Sequence, residues 1–286
     1  MAQVPHTVMR LLSSRKGKWL AALVLVVYFA VNLFPMYWIF VTSLKTDAEV
    51  YTPRPSFVPL RPTIANYVSI YTTRPYLKYT VNTILISLGA TLSCVLFGTG
   101  AAYGFSRFRF AGNRTLRYVF LASRVFPPIS LIIPIFIMVG WIRLYDTVLA
   151  QIIVNTYMWL PFFIWINIGF FDTIPRELDQ AAQLDGCSRM QSFLRVAFPL
   201  ALPGIAASSI IAFLGTWNEF LYNLILGPTP RAKNLSVGAS DFIADMFVSW
   251  NQMAAGAMIA CLPAILFVVF FQRYIVTGLT SGAVKG

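Results

Sequence analysis

The sequence predicts an all-α membrane protein with six transmembrane helices and a polar helical hairpin on one side of the membrane. Three observations support this class. Hydrophobic residues make up 58% of the 286 residues, and only 11% are charged, against about 25% in a soluble domain. Six long apolar runs alternate with polar segments. The polar segment between the fourth and fifth runs carries helix start and stop signals instead of loop composition.

The apolar runs set the element boundaries. The first begins at Trp19 and is longer and more aromatic than the core of a signal peptide, so we expect it to be retained. We therefore expect an N-terminal tail at 1–18, a six-helix transmembrane domain at 19–280 with its hairpin at about 172–200, and a C-terminal tail at 281–286. The six predicted spans cover about 19–44, 81–105, 118–141, 147–171, 202–226 and 255–274.

The basic residues predict the orientation. The short segment from Ser106 to Arg117, SRFRFAGNRTLR, holds four arginines and no acid. Basic residues concentrate in the cytoplasmic loops of membrane proteins. We therefore expect both termini and the hairpin to lie in the cytoplasm. The net charge of +12 reports this orientation and does not indicate a nucleic-acid partner.

Prolines interrupt several of the predicted spans. Pro127, Pro128 and Pro134 lie in the third, Pro161 in the fourth and Pro263 in the sixth. A proline removes a backbone N–H and kinks a helix, and freed carbonyls are tolerated at membrane depth where they face protein or a water-filled cavity. Bent elements beside a cavity favour a transporter or channel over a simple anchor.

Polar residues inside two spans are candidates for a substrate pathway. Charged residues within the bilayer normally face a bundle interior, a partner or a polar cavity. Arg124 either lines a pathway or is a structural pair or snorkelling residue. The cluster around Glu219 either touches the pathway or meets a partner subunit. The candidate pathway residues are Arg124, Trp217, Asn218, Glu219 and Asn223.

The sequence signals of the hairpin lie in the stretch from Arg176 to Gly204, RELDQAAQLDGCSRMQSFLRVAFPLALPG. Pro175 suits a helix start, and the acids after it suit the positive end of the helix dipole. Leu178, Ala181 and Ala182 are expected to share one face that another surface could approach. Gly186 suits the position after a helix where the backbone is left-handed. Ser188 and Gln191 form a capping box that predicts the start of a second helix. We expect Pro199 to end that second helix.

The hairpin resembles the EAA motif of ABC-importer permease subunits. That motif reads E-A-A, three residues, G, nine residues, I-x-L-P, and this chain has Gln180-Ala181-Ala182, then Gly186, then Val196-x-Phe198-Pro199. The spacing is kept, with Gln, Val and Phe replacing Glu, Ile and Leu. The segments SLKT, FSRFRFAGN, TWNEF and FQRYIVTGLTSGAVKG also resemble the carbohydrate-uptake branch, most of all the smaller maltose-type permease subunit.

The resemblance implies a type I ABC importer permease for a sugar. It implies a heterodimer with a second homologous permease, two ABC ATPase subunits and an extracytoplasmic sugar-binding protein, with ATP and Mg²⁺ bound by the ATPases and no cofactor on this chain. It also implies that the outside loop at about 227–252 contacts the binding protein, with a solvated connector as the alternative. The implied ATPase-coupling residues are Glu177, Gln180, Ala181, Ala182, Asp185, Gly186 and Pro199, joined at the C-terminus by Ser281, Gly282 and Lys285.

Two other function classes make different demands on the sequence. An ion-coupled secondary transporter would use Arg124 and Glu219 as a relay and would have no need of the hairpin. A membrane-embedded enzyme would need clustered His, Asp or Cys, and Cys94, Cys187 and Cys261 have no metal-ligand spacing. The sequence also lacks a phosphate-binding G-x-x-x-x-G-K-[ST] loop. We therefore expect neither catalytic residues nor a metal site on this chain.

Overall fold

The computed structural model describes residues 15–244 and 247–283. Its helices are α1 (Arg15–Ser43), α2 (Asp47–Val50), α3 (Ala65–Thr73), α4 (Tyr76–Ser93), α5 (Thr99–Arg107), α6 (Asn113–Ala122), α7 (Pro128–Trp141), α8 (Val148–Thr173), α9 (Arg176–Leu184), α10 (Arg189–Ser192), α11 (Phe198–Trp217), α12 (Leu221–Leu226), α13 (Leu235–Gly238) and α14 (Trp250–Ala283). Two-residue strands, β1 (Ile243–Ala244) and β2 (Phe247–Val248), pair antiparallel. The predicted all-α membrane class is confirmed.

The described residues divide into two units, one comprising residues up to 70 with 242–258 and the other comprising 71–241 with those from 259 onward. In the first unit, Asn66 joins distant segments because its amide donates to the carbonyls of Ser43 and Lys45 at 2.8 Å. Asn251 donates to Asn66 at 3.0 Å and to Asp47 at 2.7 Å. The start of α14 is thereby tied to the segment that follows α1.

The second unit has a core formed by α4, α5, α8 and α11. Cys94, Phe163 and Phe171 are fully buried there, and Ala201 is 1% exposed. Small residues on α11 let α8 approach closely: a Cβ atom on Gly215 would lie 1.7 Å from the Trp159 ring. The apolar side chains therefore bury one face of each helix, while the outward faces carry large exposed hydrophobic residues suited to lipid or a partner.

Within the described residues, four helical stretches are long and apolar enough to cross a membrane, namely Gly17–Ser43, Tyr76–Arg107, Val148–Thr173 and Arg189–Trp217. These agree with the first, second, fourth and fifth predicted spans, although the fifth begins earlier than expected. Of two shorter apolar helices, Pro128–Trp141 lies within the third predicted span, and Trp250–Leu266 overlaps the sixth but begins before it. Pro161 and Pro263 lie inside continuous helices, so the expectation that they interrupt their spans is wrong.

The third and fifth predicted spans are each divided. Residues 123–127 separate α6 from α7, and Pro128 is the first residue of the new helix, where its missing N–H costs no hydrogen bond. Residues 218–220 separate α11 from α12. Arg124 and Glu219 therefore lie in breaks between helices. This differs from the prediction, which placed both residues inside spanning helices.

Pro199 does not stop the second hairpin helix, contrary to the sequence prediction. A π-helical turn over Phe193–Ala197 connects α10 to α11, and Pro199 lies in the first turn of α11. A π turn shifts the hydrogen-bond register and places the proline where its missing donor is tolerated. The hairpin therefore continues directly into a membrane-spanning helix.

Candidate functional site: the hairpin and the Arg124 pocket

The hairpin has the turn chemistry that its sequence predicts. Gly186 follows α9 with φ of +89°, the left-handed conformation that an L-residue with a Cβ atom disfavours. The Ser188 hydroxyl accepts from the Gln191 N–H at 3.2 Å, and the Gln191 side chain accepts from the Ser188 N–H at 2.8 Å. The predicted glycine turn and capping box are both confirmed. Pro175 is the N-cap residue of α9, just before its first turn.

A buried ion pair fastens the hairpin to the bundle. Asp179 on α9 accepts from Arg107 Nε at 2.6 Å, and the side chains of Arg107 and Asp179 are only 6% and 8% exposed. The other Asp179 oxygen accepts from the Ser192 hydroxyl at 3.0 Å. Arg107 also donates to the carbonyls of Phe171 and Ile174, both at 3.0 Å. The pair thus links the end of α5, the end of α8 and both hairpin helices.

A second, more exposed network surrounds the pair. Asp172 accepts from the Ser106 hydroxyl at 2.6 Å and from Arg117 at 3.3 Å. Arg176 donates to the Ser106 carbonyl at 2.6 Å. These contacts complete the base on which the hairpin rests. The sequence predicts for Asp179 only a favourable interaction with the positive end of the helix dipole, because nothing in the spacing pairs it with an arginine 72 residues away.

The outer side of the hairpin is a ridge of exposed residues. Leu178 is 42% exposed and Leu184 is 89% exposed. Glu177, Gln180, Ala181, Asp185 and Pro199 are exposed as well. Ala182 is instead buried beside Asp179, so its expected place on the same open face as Leu178 and Ala181 is wrong. Consecutive helical residues differ by about 100° in direction, which separates Ala182 from Ala181.

Arg124 lies on the wall of a pocket of about 160 Å³ that also includes Tyr157, Met158, Trp159 and Tyr222. Its guanidinium donates to the Met158 carbonyl at 2.6 Å and lies 5.0 Å from the centre of the Trp159 ring. The Arg124 side chain is exposed, and protein atoms contact its guanidinium on one side. This volume is below the about 300–1,000 Å³ of a complete ligand site.

Glu219 organises the break in the fifth span. Its carboxylate accepts from the N–H groups of Tyr222 at 2.9 Å and Asn223 at 3.1 Å, so it caps the first turn of α12. The Tyr222 hydroxyl then donates to the Pro128 carbonyl at 2.9 Å. Tyr222, which the sequence did not single out, therefore connects the Glu219 break to the wall of the Arg124 pocket.

The remaining pathway candidates differ in exposure. Asn218 is exposed, but Trp217 is 3% exposed and Asn223 is fully buried. The Trp217 indole donates to the Ala260 carbonyl at 3.0 Å, and its ring stacks on Phe213. Both side chains are thus enclosed within the described chain, where the Asn223 amide donates to the Glu219 carbonyl at 3.0 Å and its Oδ1 atom has no hydrogen-bond partner. A role for Trp217 and Asn223 in the pathway or at a partner subunit stays a prediction.

Comparison with known proteins identifies the family. Residues 94–281 match the family described as binding-protein-dependent transport system inner membrane component. The chain belongs to this family. It is a multi-pass permease of a binding-protein-dependent ABC importer, and nothing in the comparisons supports the ion-coupled alternative.

Relatives of this permease cover nearly its full length. The trehalose transport system permease protein SugB of Mycobacterium tuberculosis is 37% identical, with 95% of this chain and 98% of the relative aligned. The sulfoquinovosyl glycerol transport system permease protein SmoH of Agrobacterium fabrum is 31% identical over 96% of this chain and 95% of its own. A crystal structure of a bacterial ABC transporter that imports the acidic polysaccharide alginate has a TM-score of 0.77 and 21% identity, covering 91% and 98% of the two chains, which shows the shared fold.

The segment at about 227–252, which was predicted to be an outside loop, is partly buried. In its first part, Ala232, Leu235 and Val237 are 0–2% exposed. Gln151 donates to the Ala232 carbonyl and Asn82 to the Lys233 carbonyl, both at 2.9 Å. A solvated connector that touches nothing is therefore wrong for this part of the loop.

The C-terminal candidates of the permease are only partly described. Ser281 and Gly282 lie in the last turns of α14, where side chains are not described. Lys285 lies outside the described residues.

Proposed function

We propose that this permease forms the sugar pathway of an ATP-driven importer together with a second, homologous permease. Two ABC ATPases drive it from the cytoplasm, where the hairpin and both termini lie, and an extracytoplasmic binding protein delivers the sugar. The names of the relatives support a carbohydrate, since they specify trehalose, sulfoquinovosyl glycerol and trehalose with maltose. A neighbouring structure is an alginate transporter in complex with an oligosaccharide-bound periplasmic protein.

The observation that carries the proposal is the division of the hairpin into a held side and an open side. Asp179 and Ala182 are buried against the bundle, whereas Leu178 and Leu184 project outward. A ridge with exposed leucines on a rigid base is the shape that fits a hydrophobic groove of a partner. We assign that groove to the ATPase, and Glu177, Gln180, Ala181, Asp185, Gly186 and Pro199 to the surface around it.

The mechanism that follows is alternating access. ATP and Mg²⁺ are held by the ATPases, and this chain supplies no catalytic group. Closure of the ATPases moves the hairpin, and the ion pair of Asp179 with Arg107 passes that movement to the ends of α5 and α8. Because α10 and the π turn run into α11, the same movement reaches a spanning helix directly. The bundle then rocks between outward-open and inward-open states.

The sugar pathway is assigned to the side of the bundle that carries the Arg124 pocket. Arg124 and Tyr157 offer hydrogen-bond donors to this pocket, and Trp159 offers an apolar ring face. Sugars present hydroxyl groups around apolar C–H faces, and this combination matches both. Asn218 and Glu219 remain predicted members of the pathway at the neighbouring break. The second permease would supply the rest of the cavity wall.

The test uses the complete transporter in proteoliposomes, with ATP hydrolysis and sugar uptake measured together. Leu184→Asp places a charge at the most exposed apolar position of the ridge and should abolish binding-protein-stimulated uptake and weaken retention of the ATPase. Leu60→Asp is the matched control, since Leu60 is 78% exposed and lies outside the hairpin. Normal uptake and normal ATPase retention in Leu184→Asp would show that the ridge is not the docking surface.

A further inference from the structure

A strongly basic pocket lies beside the hairpin, and it shares Ser106, Arg117 and Arg176 with the exposed network described above. It has a volume of about 390 Å³ and is formed by the end of α5, the following loop and the start of α6. Arg109, Arg114, Arg117 and Arg176 all line it, and no acidic side chain is among its described lining residues. Such a concentration of like charge is costly unless an anion neutralises it.

The charge of two of these arginines is not balanced within the described part of the chain. Arg117 pairs with Asp172 at 3.3 Å, and Arg176 donates to the Ser106 carbonyl. Arg109 and Arg114 are exposed, and neither forms an ion pair with a described carboxylate. The pocket therefore keeps a net positive charge after its internal contacts are counted.

The backbone adds to this positive potential. Helix α6 begins after Gly112, which has φ of +87° and no side chain to cap the helix, and its first turn contains no acidic residue. The first N–H groups of a helix lack intrahelical acceptors and form the positive end of the dipole. Phosphate groups bind well at such positions. The arginines and the helix start thus favour the same class of ligand.

A second cleft of about 380 Å³ adjoins the basic pocket, shares Asn113, Arg114 and Arg117 with it, and is apolar over the part formed by Tyr118, Leu121 and Trp165. Tyr118 is 57% exposed and Trp165 is 46% exposed. Tyrosine and tryptophan are typical of the membrane–water interface. A cationic site that opens directly onto exposed aromatic and aliphatic side chains matches a ligand with an anionic head and hydrocarbon chains.

We propose that this pocket binds the phosphate headgroup of an anionic phospholipid of the cytoplasmic leaflet. The acyl chains would lie along Tyr118, Leu121 and Trp165 on α6 and α8. Basic pockets between spanning helices on the cytoplasmic side are suited to anionic lipid headgroups. A purely protein partner would account for the arginines but would leave the apolar part of the adjoining cleft without an occupant. The bound lipid would brace the start of α6 against the base of the hairpin.

The experiment is a lipid titration of the complete, detergent-solubilised transporter with its partner subunits, read by native mass spectrometry. The probes are phosphatidylglycerol, phosphatidylcholine and inorganic phosphate. The double variant Arg109→Gln/Arg114→Gln should lower the apparent affinity for phosphatidylglycerol by about 30-fold, because each arginine near an anionic lipid contributes about fivefold. Retention of phosphatidylcholine should not change. Arg109→Lys/Arg114→Lys, which keeps the charge, should retain most of the binding.

The control is Arg54→Gln/Arg61→Gln, which removes the same charge from two exposed arginines of another pocket and should leave phosphatidylglycerol binding unchanged. Equal affinity in the wild type and the Arg109/Arg114 glutamine variant would overturn the proposal. So would displacement of phosphatidylglycerol by inorganic phosphate at equal concentration, which would indicate a soluble anion as the ligand. Loss of the ATPase subunits with lipid binding intact would identify the surface as a protein contact instead.

Discussion

Replacing Asp179 by alanine is expected to loosen the hairpin from the bundle and to uncouple ATP hydrolysis from uptake. The carboxylate is buried, and it accepts from Arg107 at 2.6 Å and from Ser192 at 3.0 Å. Removing one member of a buried ion pair costs about 3–5 kcal/mol, because the other charge remains desolvated. Arg107 would keep its bonds to the carbonyls of Phe171 and Ile174, so we expect about 3 kcal/mol, the lower end of that range.

The magnitude can be isolated with a double-mutant cycle. Asp179→Ala, Arg107→Ala and the double variant are compared for thermal unfolding and for sugar transported per ATP hydrolysed, both in the complete transporter. The two single variants should each lower the unfolding temperature, and the double variant should lower it by less than their sum. The ratio of sugar to ATP should fall in each single variant, because the hairpin then moves without carrying α5 and α8.

The matched control is Asp172→Ala, which breaks a pair whose side chains are 30% and 37% exposed. Exposed pairs contribute about 0–1 kcal/mol, so the unfolding temperature should change little. If Asp179→Ala proved as stable as Asp172→Ala and transported the normal amount of sugar per ATP, the assignment of the ion pair as the mechanical link would be refuted.

Three further outcomes are expected. Gly186→Val should impair transport and ATPase assembly, whereas Gly186→Asn should be milder, because asparagine tolerates a positive φ better than a β-branched residue does; equal activity of the two would contradict a role for the turn. With the native cysteines replaced, a water-soluble thiol reagent should label Arg124→Cys and not Trp217→Cys, and labelling of Arg124→Cys should change with nucleotide state; constant labelling in every state would argue against a gated pathway there. The Ser56 hydroxyl and the Leu60 N–H donate to the Glu49 carboxylate and hold the pKa of this carboxyl below its usual range. The ionised Glu49 therefore stabilises the folded protein at neutral pH, and this stabilisation is lost as the pH falls through the lowered pKa. Glu49→Gln should therefore reduce the unfolding temperature at pH 7 and have little effect at acid pH. An equal effect at both pH values would show that the charge of Glu49 is not what stabilises the fold.

The local features of the hairpin could be predicted from the sequence because short-range chemistry determines them. Gly186, Ser188 and Gln191 each act within a few residues, and their types specify the turn and the cap. The apolar runs located the membrane segments for a similar reason, since composition over about 20 residues decides whether a segment suits lipid.

The remaining features depend on contacts between distant residues. The pairing of Asp179 with Arg107 requires α5 and α9 to pack together, and no pattern within either helix encodes that approach. Pro199 resembled a stop signal because the π turn before it has no recognised sequence signature. Trp217 resembled a pathway residue because its neighbours are polar, but its burial depends on α14, which begins 33 residues later in the chain.

Because of the ion pair, buried and exposed positions of the hairpin tolerate substitution differently. Asp179 can change only together with the residue at 107, because either charge alone would be stranded in the interior. Gln180, where the family motif has glutamate, is exposed, and a substitution there leaves the fastening intact. If the open side of the hairpin docks as proposed, sequence drift at such outward positions can refit the transporter to a different ATPase while the inner contacts preserve the geometry of the hairpin.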